Sequence, residues 1–123
     1  MQKITYSKEY MHNLYNGSDE DIHFVLTEFT KGVVAMKAAL VNSYSHFDSS
    51  LLIVTLHKYY SGFAYAGFPQ ISSQIKSLME ICQKINNVEQ VYIEFNKLLI
   101  SIDQCNEICL KQIHFPDSRQ NYV

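Results

Sequence analysis

Leu56-His57-Lys58-Tyr59-Tyr60-Ser61-Gly62-Phe63-Ala64-Tyr65-Ala66-Gly67-Phe68-Pro69-Gln70-Ile71 reads as a helix carrying one histidine, a tight turn, and the start of a second helix. Gly67 suits the end of the first helix, because glycine reaches positive φ without a steric penalty. Pro69 suits the first turn of the next, where its missing N–H is not needed. At helical spacing His57 shares a face with Ser50, Ile53, Val54, Ser61 and Ala64. Ser61 one turn on and Ala64 two turns on are small, so another molecule can approach the imidazole along that face.

Outward from this stretch the chain reads as helix in both directions. After Pro69 the stripe is Ile71, Ile75, Leu78, Cys82 and Ile85, and Asn86-Asn87 marks a turn. The last helix carries Val91, Phe95, Leu98, Ile102, Cys105 and Cys109. Both stripes alternate steps of three and four, the seam of left-handed bundle packing. Pro116 ends helical possibility, and 116–123 reads as a flexible tail. Upstream, Asp48 or Ser49 is positioned to cap the histidine helix, which runs to about Ala66. Leu51, Leu52, Val54, Leu56, Tyr59 and Phe63 make that helix apolar around most of its circumference. It is therefore expected to be the central helix, packed on several sides. Before it, Ile22, Val25, Leu26, Phe29, Val33, Met36 and Leu40 recur at helical spacing to about residue 43. Ser18 caps that helix in a capping-box pattern with Asp21, and its mid-helix Gly32 invites close packing against a neighbour. Residues 7–15 form a short opening helix that lies across one end, with Tyr10, Met11 and Leu14 on one side. The fold class is all-α: an antiparallel up-down four-helix bundle with a short additional N-terminal helix.

With 123 residues, 47% of them hydrophobic and 18% charged, the chain fits one globular domain. A formal net charge of −2 argues against a general nucleic-acid or anionic-membrane binder. No apolar run reaches bilayer length and the N-terminus lacks the apolar core of a secretory signal. Three cysteines without framework spacing read as reduced thiols, so a cytoplasmic protein is expected.

A histidine with small residues four and seven later, a glycine ten later and an aliphatic fourteen later resembles the pattern of the histidine-containing phosphotransfer (HPt) domain. Those positions are His57, Ser61, Ala64, Gly67 and Ile71. Leu14-Tyr15-Asn16-Gly17-Ser18-Asp19-Glu20-Asp21, followed by Phe24, Leu26 and Phe29, is similar to the short helix, loop and long helix that open such domains. The resemblance covers roughly residues 6–112. It departs at two positions: Tyr60 stands where the family usually has Lys or Arg, and Ser61 where it usually has Gly.

The resemblance implies a phosphorelay carrier. His57 would take a phosphoryl group from a receiver-domain aspartate or a hybrid sensor histidine kinase and return it to another response-regulator receiver. A nucleophilic imidazole is what that chemistry needs, and histidine is neutral near pH 7 as a residue type. Mg²⁺ and the groups that neutralise transition-state charge would belong to the partner, so the chain itself needs no cofactor, metal or ATP site. Height along an antiparallel neighbour suggests Lys76, Met79, Glu80 and Gln83 near the level of His57. Lys58 and Lys76 are candidates to replace the missing cation, and Gln83 to hydrogen-bond the imidazole or phosphoryl group; two solvated lysines are the plainer alternative. Among Tyr59, Tyr60, Phe63, Tyr65 and Phe68, most are expected in the core, with Tyr60 left beside His57 as an interface anchor. Cys105 and Cys109 lie on the apolar stripe and are read as core rather than as zinc ligands with His114. His12, His23 and His46 lack partner spacing and are read as surface residues. The expected state is a monomer. The rival reading is the same bundle serving as an interaction module that binds a receiver or another signalling protein without carrying phosphate. A third, a helical-bundle metalloprotein or enzyme, is set aside on the expectation that the chain lacks the paired carboxylates and Glu-x-x-His patterns such sites use.

Overall fold

The computed structural model describes residues 3–45, 48–84 and 88–115. The expectations for His46, Ile85, Asn86-Asn87 and 116–123 lie outside them. The described residues form five helices: α1 (Lys8–Leu14), α2 (Asp19–Ser45), α3 (Ser49–Tyr65), α4 (Pro69–Cys82) and α5 (Val88–His114).

The helix ends follow local chemistry. Ser7 Oγ accepts from Tyr10 N–H at 3.1 Å and Ser18 Oγ from Asp21 N–H at 3.2 Å. Asp48, rather than Ser49, caps α3, its Oδ1 accepting from the N–H groups of Ser50 and Leu51. Each contact satisfies a donor that the helix itself leaves unpaired. At the other end of α3, Phe68 N–H bonds to Phe63 C=O at 2.7 Å and Gly67 N–H to Ala64 C=O at 3.2 Å, with Gly67 at φ +103°. This is the Schellman arrangement, and the residues it brackets, Phe63 and Phe68, are both buried. Pro69 then opens α4 in its first turn.

Among the four long helices, α3 packs on α2 and α4, and α5 packs on α2 and α4, while α1 packs on α2. The α4 stripe Ile71, Ile75, Leu78 and Cys82 is buried, as is Phe95, Leu98, Ile102, Cys105 and Cys109 on α5. Burial of one such aliphatic side chain contributes about 1.5–3 kcal/mol. Ile4, Tyr6 and Met11 close the core at the α3–α4 turn, where Tyr10 Oη donates to Ala64 C=O and Tyr15 Oη to Tyr65 C=O.

Several expectations are corrected. α3 is not central: it buries Leu52, Leu56 and Phe63 but leaves Val54 66% exposed and Leu51 exposed too. Beside α2 and α4 only the short α1 reaches it, at its C-terminal end, so among the described residues its outer face has no helix to pack on. Gly32 does not serve close packing, because a Cβ there would meet nothing within 4 Å. Leu14 is exposed while Met11 is fully buried, since α1 has one partner surface and only one of its sides faces it. The long helix α2 continues to Ser45, two residues beyond the expected end. No described helix is long and apolar enough to cross a membrane.

Candidate functional site

His57 projects from the middle of α3 and is exposed, and its imidazole has no hydrogen-bond partner among the described residues. Its face comprises the exposed Ser50, Val54 and Ser61 and the half-buried Ile53 and Ala64. Ser61, one turn on, is also exposed and unpartnered among the described residues, so its hydroxyl is available beside the imidazole. Ala64 belongs to a different neighbourhood, because α1 half-covers it through the 3.0 Å bond from Tyr10.

Lys58 is exposed, and its Nζ sits 5.3 Å from the Tyr59 ring centroid, a cation–π distance. That contact turns the ammonium toward the α2 side of α3. Tyr60 is half-buried and packs against the core. The aromatic left open is Tyr65, at 57% exposed, whereas Tyr60 was expected to be the exception. Three steps of about 100° set Tyr60 about 60° round the helix from His57, on the α4 side, where its carbonyl accepts from Ser72 Oγ at 2.6 Å.

The Ser72–Tyr60 bond fixes the register of α3 on α4. The two helices leave the turn in opposite senses, so His57 is level with Ile75, which is buried. Lys76, the next residue, is exposed at that level. At 1.5 Å per residue Met79 lies about 6 Å, and Gln83 about 12 Å, farther along the axis. Lys76 and His57 are thus brought to one level, and Gln83 is two turns away from the imidazole. The half-buried Met79 packs against the core.

On its other flank the site borders a groove of about 260 Å³ between α2 and α3. Lys58, Ser61 and Gly62 form one wall, and Glu28, Gly32 and Met36 the other. Neither glycine sits at positive φ, and neither has an atom within 4 Å of a built Cβ. Their effect is to widen this groove. No turn signal marks them, so periodicity alone did not reveal it.

The remaining candidates separate cleanly. Cys82, Cys105 and Cys109 are buried free thiols. Burial pushes the Cys109 thiol up to about 12. Burial, with the neighbouring Cys109, also raises Cys105, and burial raises Cys82. Such thiols resist becoming thiolates. His114 and His23 are exposed. His12 is exposed but does have a partner, Asp19 Oδ1 at 3.0 Å from its Nε2. The expectation that the chain lacks Glu-x-x-His patterns is corrected: two occur, Glu9-Tyr10-Met11-His12 and Glu20-Asp21-Ile22-His23. Among the described residues no three His, Cys, Asp or Glu side chains gather as a metal site. No protein-family model, curated protein or solved structure matches the chain.

Proposed function

We propose that this protein is a histidine phosphotransfer carrier built on an antiparallel up-and-down four-helix bundle, with His57 as phosphoacceptor. The observation that carries the reading is an exposed, unpartnered imidazole at mid-helix, with a free serine hydroxyl one turn on. The unpaired ring nitrogen would attack the phosphorus of a receiver's aspartyl phosphate. The N–P bond forms, the acyl P–O bond breaks, the aspartate leaves as a carboxylate, and the other ring N–H loses its proton to solvent. Mg²⁺ held by the receiver would neutralise charge on the transferring group. On this chain Lys76 supplies a cation at the same level, and Ser61 a donor to a phosphoryl oxygen. The partners are a response-regulator receiver and a hybrid sensor histidine kinase, met in the cytoplasm.

One observation favours the rival, an interaction module without phosphoryl transfer. Tyr60 replaces the family's usual cation and is turned into the α3–α4 seam, so that position brings no charge to His57. Incubation with a panel of phosphorylated receivers decides between them. The carrier acquires acid-labile, base-stable label, and His57→Gln acquires none while its melting temperature stays within about 2 °C of wild type, as for an exposed side chain. Label on the mutant, or none on wild type from any receiver that it binds, overturns the proposal.

A further inference from the structure

A cleft of about 620 Å³ opens between α1, the first turns of α2 and the end of α5, on elements that do not carry His57. Its walls include the buried Met11, Ile22 and Leu26. Gln112 from α5 also lines it and is only 7% exposed. The Nε2 of Gln112 is buried and has no hydrogen-bond partner among the described residues. A buried amide nitrogen without an acceptor is costly, and native proteins rarely keep one without a use. An acceptor oxygen bound in the cleft would reach this N–H by turning the terminal amide toward it.

The rim supplies the charge. It holds two carboxylates, Asp19 and Glu20, and one lysine, Lys8. Asp19 is engaged by His12. Glu20 has no hydrogen bond or ion pair with a described residue. Apolar walls, one unsatisfied donor and one free carboxylate are the complement of a small amphipathic molecule, and the volume lies within the usual range for such sites. We infer that this cleft binds a small organic cation with an apolar body and an acceptor oxygen. The oxygen takes a hydrogen bond from Gln112 Nε2, the cation faces Glu20, and the body packs on Met11, Ile22 and Leu26. The inference is independent of the phosphoryl-carrier reading and survives its failure.

The test uses the full chain, isotopically labelled, titrated with phenylalaninamide while the Gln112 side-chain amide and the Met11, Ile22 and Leu26 methyl resonances are followed. Phenethylamine lacks the acceptor oxygen, and N-acetylphenylalanine carries the opposite charge. Phenylalaninamide shifts these resonances saturably, phenethylamine binds about tenfold more weakly, in line with one lost hydrogen bond, and N-acetylphenylalanine leaves them unmoved. Gln112→Leu, nearly the same volume, melts no lower than wild type yet loses the phenylalaninamide response. Glu20→Gln, a surface change, weakens binding of both amines. Any of three results overturns the inference: unmoved cleft resonances at millimolar phenylalaninamide, equal responses to all three probes, or saturable zinc binding at this rim without an amine response. Gln112→Leu melting well below wild type would also overturn it, since the amide would then serve the fold.

Discussion

Replacing Gly67 by alanine tests how the end of α3 is locked. Two costs arise at once. The backbone there has φ +103°, a region that L-residues rarely adopt, at a cost of about 1–2 kcal/mol. The new methyl would also stand 2.9 Å from Tyr6 Cε1 and 3.0 Å from Met11 Sδ. Neither neighbour has room to withdraw, because Met11 is fully buried and Tyr6 is 2% exposed against Phe68. Overpacking of that kind costs about 1–3 kcal/mol. The stiffer unfolded chain offsets about 0.4–1 kcal/mol, leaving a net loss of about 2–4 kcal/mol. For 123 residues, an unfolding entropy of about 2.1 cal/mol/K per residue converts this to a drop in Tm of about 8–15 °C. Gly17→Ala is the internal control. Gly17 is also at positive φ, +75°, but has nothing within 4 Å of a built Cβ. It therefore isolates the backbone cost and should lose only about 4 °C. Thermal unfolding followed by circular dichroism reads both. If the two substitutions lower Tm equally, or Gly67→Ala by less than about 4 °C, the packing of Tyr6 and Met11 on this turn does not constrain it as argued.

Tyr60→Lys should raise the rate of label transfer from an acidic receiver site at low salt, with the gain shrinking as salt rises. Because the ring packs on the core, the same variant should lose about 1–2 kcal/mol in urea unfolding; an unchanged midpoint would contradict the half-buried placement. Ser61→Gly should preserve acceptance and shorten phosphohistidine lifetime; loss of all label would show that the hydroxyl is required. The cysteines give a pH prediction. Burial raises the folded-state thiol of Cys109 from 9.0 to about 12. The unfolded state therefore releases its proton first, and the stabilisation from keeping the thiol neutral, complete below pH 9, is lost progressively as pH climbs from about 9 to about 12. A urea midpoint that stays flat across that window would refute this. At pH 8 a thiol reagent should label the native protein slowly, and all three cysteines quickly once it is denatured.

The amphipathic stripes were legible because a helix buries whatever recurs every three and four residues, and one period sufficed to identify Ile71, Ile75 and Leu78 as core. Gly67 was legible for a similarly local reason, since its role depends on its own φ. Tyr60 was not, because hydrophobicity around α3 does not say which two of its sides have neighbours. The same gap left Val54 and Leu51 assigned to a core they do not reach. The His12–Asp19 pair spans a turn whose geometry comes from Asn16 at φ +53° and Gly17, so no spacing rule pointed to it.

By itself the sequence determined that this chain is helical, where α3 and α4 are divided, and that His57 falls in mid-helix beside small residues. These are properties of neighbours within about four positions, set by backbone sterics, capping and periodicity. Only the tertiary structure decided the height of α4 against α3. The expected height spanned two turns, from Lys76 to Gln83; the Ser72–Tyr60 hydrogen bond selects Lys76 and carries Gln83 away. It also decided that α1, α2 and α5 enclose a cleft around an unsatisfied Gln112. Residues about a hundred positions apart meet there because burying apolar surface is non-directional. It draws the helices together, and interlocking side chains from all of them set the final register.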